Sequence, residues 1–518
     1  MHQQASLSSN LAPKATRRDW IGLAVIALPC LLYSMDLTVM NLAVPHLSAE
    51  LKPTGAQLLW MVDIYGFMIA GSLITMGTLG DRIGRRRLLL IGAAAFGAAS
   101  VLAAFSTSAE MLIATRALLG VAGATLAPST LSLIRNMFLD AGERTVAIGV
   151  WITSYSVGGA IGPLVGGVLL EHFWWGSVFL VSVPVMVLLL VLGPMLLPEY
   201  RDPDAGRLDL LSAAQSLAAV LAVIYGLKRI AEGGLGWVAA VCILAGLAIG
   251  WAFLRRQRTL ASPLIDLALF RVPAFSAALA INTFCFFGAF GAFLFIAQYL
   301  QLVIGLSPLE AGLWSVPSAL GFVVGSMLAP VIARRIRPGL AVTGGLALAF
   351  VGFGVLTQVG GASGLATLVT GSVIFSLGLA PVVTLGTDLI VGSAPPERAG
   401  AAAAISETSS EFGGALGIAV LGSVVTAVYR HAMEGTALSG VPAAAAEAAR
   451  STLGGAVAVA AELPGASGAA LLDTSRDAYA QAFQVTAGIS AALVLGTAIL
   501  AALMLRQAGA GSPTGSAP

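Results

Sequence analysis

The sequence predicts an all-α polytopic membrane protein. Of its 518 residues, 58% are hydrophobic and only 10% are charged, and the mean hydropathy is +0.92. Soluble domains contain about 25% charged residues. Long apolar runs recur along the whole chain, and at about 1.5 Å per residue each can cross roughly 30 Å of hydrocarbon as a helix. Their length, and the lack of short alternating segments, argue against a β-barrel.

We predict fourteen transmembrane helices, with an inserted pair between two six-helix halves (6 + 2 + 6). In such a layout substrate binds near the midplane between the halves. A weak internal repeat supports related halves: GTLGDRIGRRR at 77–87 and GSMLAPVIARRIRP at 325–338 each follow a span, although the second lacks the aspartate. The predicted spans are 20–45, 57–79, 87–106, 109–136, 146–170, 175–197, 209–230, 236–255, 273–303, 310–333, 340–360, 365–392, 401–428 and 483–506.

The domain boundaries follow from charge and turn residues between the spans. The stretch PEYRDPDAGRLD at 198–209 is charged and rich in turn formers, so we place a linker there. The Ala/Gly-rich segment at about 430–480 is predicted to form a long extracytoplasmic loop with one or two loosely packed helices and little chemistry. The predicted parts are 1–19 cytoplasmic tail, 20–197 N-terminal bundle, 198–258 linker and inserted pair, 259–506 C-terminal bundle and 507–518 disordered tail.

Charge in the loops predicts the orientation. Most Lys and Arg residues lie in the loops and tails that share the side of the N-terminus, which is typical of the cytoplasmic side. An even number of spans puts both termini there, and we expect a bacterial cytoplasmic membrane. The net charge of +2 then reflects loop topology and indicates no nucleic-acid partner. Cys30, Cys242 and Cys285 all lie in spans and predict no disulfide framework.

Ionisable residues inside the predicted spans mark the candidate site. A charge at the centre of a bilayer costs about 2.5–3.5 kcal/mol on insertion scales, so such residues face a cavity or a partner. Counted from the outer helix ends, Asp36, Asp63 and Arg116 lie at similar depth, and we expect them to meet. Arginine stays protonated, whereas a carboxylate can exchange a proton, so Asp36 can switch and Arg116 cannot.

Two further acids lie in the thirteenth span. Glu407 and Glu411 are four residues apart and therefore on one helix face, where two like charges repel. We expect one to be protonated, or both to be neutralised by a cation; the alternative is a capping role or a solvated helix face. Asp388 is close to a helix end, where it can equally reach water.

The excess of acids over the single intramembrane arginine favours a cationic substrate. An anion would need more basic groups, whereas aromatic and apolar side chains suit the hydrophobic body of an organic cation. Most of these aromatic residues are expected to serve packing alone. The candidate lining comprises Trp60, Tyr65, Phe284, Phe286, Phe287, Phe290 and Tyr299.

Several motifs carry a resemblance to a known family. GTLGDRIGRRR at 77–87 resembles the loop signature of the major facilitator superfamily. MDLTVMNLAVP at 35–45 resembles the first-span signature of its fourteen-helix drug:proton antiporter branch, and IATRALLGVAGA at 113–124 the fourth-span motif. SVGGAIGPLVGGVL at 156–169 is similar to the fifth-span antiporter motif.

Three more segments extend the resemblance. FWWGSVFLVSVP at 173–184 is similar to the entry of the sixth span, and WMVDIY at 60–65 to the quaternary-ammonium and dye efflux subgroup. The second half matches more loosely, mainly through SETSSEFGGALGIAVLGS at 406–423.

The resemblance implies the major facilitator fold with 14 transmembrane helices, and it implies roles for the matching residues. It assigns proton handling to Asp36 and Arg116, and it implies that Asp81 holds the cytoplasmic side closed. We expect Asp81 to cap a helix or to pair with an arginine such as Arg144. The other residues of this predicted gate are Gly77, Arg82, Gly84 and Arg85.

The fifth-span motif has a packing interpretation and a functional one. Gly158, Gly162 and Gly166 recur every four residues and give a smooth face for close helix contact, and Pro163 is expected to bend the helix. Tight packing alone explains this pattern. The resemblance implies in addition that this surface seals the cavity in one state.

The predicted function is proton-coupled efflux of lipophilic cations by alternating access. Quaternary ammonium compounds, dyes and cationic antiseptics are the expected substrates, the proton motive force replaces any cofactor, and the chain is expected to work as a monomer in the lipid bilayer. Asp63, Glu407, Glu411, Trp60 and Tyr65 are the candidate recognition residues, with Asp388 and Phe287 as possible additions. The alternative is export of an endogenous metabolite or antibiotic. An enzyme is disfavoured because no nucleotide-binding loop, H-E-x-x-H or nucleophile elbow is present.

Overall fold

The structure is a computed structural model that describes residues 13–51, 53, 55–201, 209–233, 236–260, 263–360, 364–395, 398–434, 443–463 and 465–505. Some side chains within these ranges, including those of Asp63 and Pro163, are not described. Every regular element in the described residues is a helix, which confirms the all-α prediction.

The N-terminal half contains eight helical segments. They are α1 (Arg17–Leu51), α2 (Gly55–Ile83), α3 (Arg85–Ala104), α4 (Ala109–Gly123), α5 (Leu126–Met137), α6 (Ala141–His172), α7 (Ser177–Leu180) and α8 (Ser182–Leu196). The next two are α9 (Leu210–Gly233) and α10 (Trp237–Gln257). The remainder contains α11 (Pro273–Gln298), α12 (Pro308–Arg335), α13 (Pro338–Leu356), α14 (Gly364–Gly392), α15 (Ala399–Met433), α16 (Ala443–Ser451), α17 (Leu453–Glu462) and α18 (Gly465–Met504).

All fourteen predicted spans coincide with long helices or pairs of helices. Thirteen helices within the described residues are long and apolar enough to cross a membrane. The second span is α2, which is not among those thirteen but has 29 residues. At about 1.5 Å per residue this length is sufficient to cross a bilayer.

Two predicted spans are interrupted, which hydropathy did not predict. The span at 109–136 divides between α4 and α5 at Thr125, and the span at 175–197 divides between α7 and α8 before Ser182. At each break a hydroxyl donates to a carbonyl three residues earlier: Thr125 Oγ1 to Ala122 O at 2.7 Å, and Ser182 Oγ to Phe179 O at 2.7 Å. Such local bonds compete with the regular helical ladder.

The predicted loop at 430–480 is more helical than expected. The short helices α16 and α17 match the one or two predicted, but α18 begins at Gly465 instead of near 483. Its extension is fixed to the end of α11, because Arg476 Nε donates to Leu302 O at 3.2 Å and Tyr479 Oη to Gln298 Oε1 at 2.8 Å.

Helices of the two halves of the bundle pack against each other in several pairs. In this contact α2 packs against α15, and α6 packs against α12. The helix α9 of the predicted inserted pair packs against both α2 and α15, so it covers the seam between them. Asp209, just before α9, accepts from Arg256 of α10 at 2.7 Å, and this bond together with that from Ser212 holds the pKa of Asp209 well below its usual range.

The fifth-span glycines give the close helix contact that the sequence predicts. A Cβ added at Gly158 would collide with the backbone of Leu31 on α1, and one at Gly166 would come within 2.8 Å of the Val39 side chain. Gly162 is buried in the same helix. The bend at Pro163 stays a prediction, since that side chain lies outside the described residues.

We expect Gly158→Ala to destabilise the protein, because overpacking a tight contact costs about 1–3 kcal/mol. Alanine at this position has no room against the α1 backbone. The readout is the apparent melting temperature of the detergent-solubilised protein, followed by fluorescence-detected size exclusion, which should fall by several degrees.

The matched control is Gly167→Ala on the same helix, where an added Cβ meets nothing within 4 Å. This variant gains helix propensity of roughly 1 kcal/mol without a clash and should be neutral or slightly stabilising. Equal melting temperatures for the two variants would contradict the close-packing interpretation.

Candidate functional site

A buried arginine and a partly accessible aspartate form the centre of the N-terminal half. Arg116 on α4 is fully buried, and its Nη1 lies 3.4 Å from Oδ2 of Asp36 on α1. The Asp36 side chain keeps 16% of its surface exposed. The predicted meeting of these two residues is therefore confirmed, and the guanidinium has the charged partner that burial requires.

The position of α2 beside this pair bears on Asp63. Nη2 of Arg116 donates to the carbonyl of Val62 at 3.4 Å, so the backbone of α2 reaches the same depth one residue before Asp63. The Asp63 side chain itself lies outside the described residues, and its approach to the pair stays a prediction.

Aromatic rings connect Arg116 to the contact between the halves. The guanidinium lies 5.3 Å from the centroid of Tyr65, within the range of cation–π contacts. The Tyr65 ring lies 6.2 Å from Tyr33, Tyr33 lies 5.5 Å from Tyr155, and Tyr155 lies 4.8 Å from Trp151. We call Tyr33, Tyr65, Tyr155 and Trp151 the aromatic wall; its members come from α1, α2 and α6.

The two glutamates of α15 face this wall from the other half. The Tyr33 hydroxyl donates to Glu411 Oε1 at 3.3 Å. Glu407 lies within electrostatic range of Tyr33 and Tyr155. Both glutamates are partly exposed although they lie well inside a predicted span. The arrangement places two carboxylates opposite a set of ring faces, a combination that suits an organic cation.

Sequence reasoning found the acids but missed most of the wall. Of its four members only Tyr65 was among the predicted lining residues. Tyr33 could have been found, because it precedes Asp36 by three residues and so shares its helix face. Tyr155 and Trp151 stand on α6 and carried no signal that linked them to the acids.

The other predicted aromatic residues lie elsewhere. Trp60 is 41% exposed and stacks on Tyr225 of α9, with ring centroids 6.1 Å apart. Phe284 and Phe290 are exposed on α11, where Phe290 contacts the ring of Phe286. Phe287 and Tyr299 serve packing: the backbone of Phe287 abuts Gly417, and Tyr299 contacts the ring of Phe483.

One end of the bundle, where α1 begins and α12 ends, carries Arg17, Arg85, Arg144 and Arg334. We call this end the arginine-rich side. Asp81 is buried there at the end of α2. It accepts from Arg85 at 2.6 Å and from the backbone N–H groups of Gly400 at 3.2 Å and Ala401 at 3.0 Å. Since α15 begins at Ala399, Asp81 caps the N-terminus of a helix in the other half.

The prediction that Asp81 could pair with Arg144 was wrong. Its Nε binds Oδ1 of Asp388 on α14 at 2.6 Å, and Thr145 Oγ1 donates to the other carboxylate oxygen at 2.7 Å. The reason is that Arg144 starts α6, which faces the end of α14, whereas Asp81 faces α15. Asp388 thus forms an ion pair between the halves, and its side chain keeps 14% exposure.

Two glycines allow the close approach at this side. A Cβ at Gly77 would collide with the Gly400 carbonyl of α15. Gly84 has a φ of +108°, which favours glycine, and precedes α3. Arg82, in the same turn, is partly buried.

Two residues of the predicted linker contact the start of α3, and the sequence did not predict these contacts. The Glu199 carboxylate accepts from the backbone N–H groups of Arg86 and Arg87, both at 3.2 Å, and so caps α3. The ring of Tyr200 lies 5.2 Å from the Arg85 guanidinium. The segment is therefore part of the arginine-rich side rather than a plain connection.

Comparison with known proteins indicates the family to which this chain is similar. Residues 26–418 match the family model for the Major Facilitator Superfamily. The multidrug efflux pump LfrA of Mycolicibacterium smegmatis is 43% identical, over 96% of this chain and 98% of its own length. The methyl viologen resistance protein SmvA of Salmonella typhimurium is 36% identical, over 92% and 96%. The tetracenomycin C resistance and export protein of Streptomyces glaucescens is 32% identical, over 78% and 76%.

Among solved structures, the human organic anion transporter MFSD10 (TETRAN) superposes with a TM-score of 0.58. It covers 92% of this chain and 99% of its own at 14% identity, and at that identity it supports the fold alone. Taken with the family match and the efflux relatives, the chain belongs to the major facilitator superfamily and to its drug-efflux members, and it is a membrane transporter rather than an enzyme.

Proposed function

We propose that the protein exports lipophilic cations in exchange for protons by alternating access. Quaternary ammonium compounds, dyes and cationic antiseptics are the proposed substrates. The proposal places the chain in the bacterial cytoplasmic membrane as a monomer, with both termini and the arginine-rich side in the cytoplasm. The relatives that are named for multidrug efflux and for methyl viologen resistance support it.

The observation that carries the proposal is the position of the acid pair opposite the aromatic wall. Glu407 and Glu411 belong to one half, and the rings of Tyr33 and Tyr155 belong to the other. A cation between them gains ion pairing from one side and cation–π attraction from the other, and it replaces the mutual repulsion of the two carboxylates. Asp63 is the proposed third acid for substrates with two charges.

Proton exchange is assigned to Asp36, with Arg116 as its fixed positive partner. Asp36 is accessible enough to exchange a proton, and Arg116 remains charged throughout. A proton on Asp36 leaves the charge of Arg116 uncompensated, which disfavours a cation nearby. Each proton that enters across a potential of 100 mV supplies about 2.3 kcal/mol.

The contacts on the arginine-rich side act as the gate in this proposal. Asp81 and the Arg144–Asp388 pair both join the two halves there, and Gly77 lets α2 and α15 approach closely. A change to the opposite state has to break them together. Trp60, exposed beside α9, is proposed to contact cations that arrive from the lipid.

Export of a specific metabolite or antibiotic is the second candidate. The relative named for tetracenomycin C resistance and export favours it. The acid pair distinguishes the two candidates, because a neutral or anionic substrate gains nothing from Glu407 and Glu411.

The first test measures proton release when ethidium is added to everted membrane vesicles that contain the protein. Wild-type protein should release protons on ethidium addition, and accumulation of ethidium in cells should rise when an uncoupler is present. Asp36→Asn should abolish both responses while the protein remains inserted, because the amide cannot exchange a proton at that position.

Glu462→Gln is the matched control, since this acid is exposed on α17 and far in sequence from the site. It should behave as wild type. Full proton-coupled efflux by Asp36→Asn would remove this residue from the coupling role, and no ethidium-dependent proton release by the wild type would refute the antiport itself.

The aromatic wall predicts a contrast between two variants of one residue. Tyr155→Phe keeps the ring and should bind ethidium nearly as wild type, whereas Tyr155→Leu should lose about 0.5–2 kcal/mol, the value of one cation–π contact. Fluorescence titration of the purified protein gives both dissociation constants. Equal affinities would show that the Tyr155 ring does not contact the cation.

Replacement of Asp81 should slow transport without a loss of ethidium affinity at equilibrium. Asp81→Asn removes the carboxylate that Arg85 binds and weakens the cap of α15. Loss of a buried ion pair costs more than about 1.4 kcal/mol, so turnover is expected to fall by about tenfold or more. Turnover is measured as ethidium efflux from loaded cells, and binding by fluorescence titration.

Glu310→Gln serves as the control, because Glu310 completes the capping box of α12 with Ser307 at an exposed position away from the contact between the halves. It removes an acidic cap of the same kind and should leave turnover unchanged. A large loss of ethidium affinity in Asp81→Asn would contradict the gate assignment.

A further inference from the structure

Tyr33 stands where the proton pair and the acid pair come together. It precedes Asp36 by three residues on α1, so the two side chains share one helix face. Its hydroxyl donates to Oε1 of Glu411 across the two halves at 3.3 Å. Tyr33 is 5% exposed, so its ring is held firmly by its surroundings.

A second set of contacts leads from the proton pair to the same residue. The Arg116 guanidinium lies over the ring of Tyr65, and the Tyr65 ring contacts the ring of Tyr33. Arg116 therefore touches both Asp36 and the aromatic wall. A displacement of Arg116 therefore displaces Tyr33 through the Tyr65 ring, and a displacement of α1 moves Tyr33 directly.

The Arg116–Asp36 and Tyr33–Glu411 hydrogen bonds are both long in this structure. Arg116 Nη1 is 3.4 Å from Asp36 Oδ2, whereas strong charge-assisted bonds measure about 2.7–2.9 Å. The Tyr33–Glu411 bond of 3.3 Å exceeds the usual O–H···O range of about 2.5–3.0 Å. Both contacts are therefore weak enough to be exchanged for other partners.

The state of the gate indicates the order of events. The arginine-rich side is closed by Asp81 and by the Arg144–Asp388 pair, and in that same conformation the Tyr33 hydroxyl lies on Glu411. A cation that binds Glu411 competes with this hydroxyl for the same oxygen. In the proposed cycle, this closed state is the one in which a cation leaves and a proton enters.

We propose that Tyr33 is a positioning residue whose hydroxyl replaces the departing cation on Glu411 when a proton enters at Asp36. The inference rests on the proposed antiport function and adds to it the group that links its two sites. Coupling between two ligands is reciprocal, so a proton weakens cation binding by the same factor by which a cation weakens proton binding. Tyr33 sets the size of that factor.

The titratable groups around Asp36, Glu411 and Glu407 come from five helices. Asp36 faces Arg116 of α4 and Tyr65 of α2. Glu411 faces Glu407 of its own helix, Tyr33 of α1 and Tyr65 of α2. Glu407 also faces Cys30 of α1 and Tyr155 of α6. Within the described residues, Asp36 and the two glutamates are the acids of this group.

The experiment measures ethidium binding to the full-length protein in lipid nanodiscs, by fluorescence anisotropy, between about pH 5.5 and 8.5. For the wild type we expect the dissociation constant to rise about tenfold or more as the pH falls, within the usual range of coupling between two sites. Tyr33→Phe keeps the ring and loses only the hydroxyl. Its affinity at the highest pH should stay within about threefold of wild type, while the change across the pH range should shrink to less than about threefold.

Tyr479→Phe is the matched control. It removes a phenol hydrogen bond of similar kind, to Gln298 Oε1 at 2.8 Å, that lies within one half of the protein. This variant should keep the full pH dependence of ethidium binding. A flattened profile in the control would show that the loss of any buried hydroxyl has this effect.

A double-mutant cycle separates the contact from a general effect of the substitution. If the Tyr33–Glu411 bond carries the coupling, Tyr33→Phe should flatten the pH profile in wild-type background but add no further flattening to Glu411→Gln. The same fluorescence readout in everted vesicles reports on variants that do not survive detergent.

Each outcome bears on one proposal. An unaltered pH dependence in Tyr33→Phe would overturn the role of Tyr33 and leave the antiport function intact. Loss of ethidium binding at all pH values in Tyr33→Phe would make the hydroxyl a binding group and would also overturn the coupling role. Binding by the wild type that does not change with pH would instead refute the proposed function itself.

Discussion

The cost of a charge in hydrocarbon is the constraint on which this structure depends. Arg116, Asp388 and Asp81 each meet a partner from a different helix. Arg116 is paired with Asp36 and with a carbonyl of α2, and Asp388 is paired with Arg144. Asp81 is satisfied by Arg85 and by two backbone N–H groups of α15. The requirement to satisfy these groups therefore also determines which helices lie next to each other.

Some of these charged contacts lie within one half of the bundle, and others join the two halves. The first kind belongs to the proposed proton site and the second to the proposed gate. The Asp36–Arg116 pair lies within one half, so it can persist when the halves change their relative position. The contacts of Asp81 and of Asp388 join the halves on the arginine-rich side, so a change in the relative position of the halves has to break them. In the proposed cycle the first kind stores the proton and the second kind sets the barrier between states.

The sequence predicted the positions of the helices along the chain, which depend on composition. It did not predict which way each helix face points. Long apolar runs located the membrane-spanning helices, but the breaks at Thr125 and Ser182 arise from single hydroxyl bonds that hydropathy does not detect. Counting residues along each helix gave the correct depth for Asp36 and Arg116. Depth says nothing about which way a helix faces, so Arg144 was assigned to the wrong acid. Tyr155 and Trp151 of the aromatic wall were missed for the same reason, because they stand on α6, far in the sequence from the acids.

The placement of acids on one half and rings on the other has a consequence for energetics. A substrate that contacts only one half binds equally well in both states and cannot shift their populations. A cation held between Glu411 and the rings around Tyr33 contacts both halves, so its affinity depends on how they are arranged. Broad specificity is compatible with this arrangement, because ring faces and carboxylates recognise positive charge and apolar bulk rather than a particular pattern of hydrogen bonds. In the proposed cycle, selectivity for charge and sensitivity to conformation thus arise from the same few contacts.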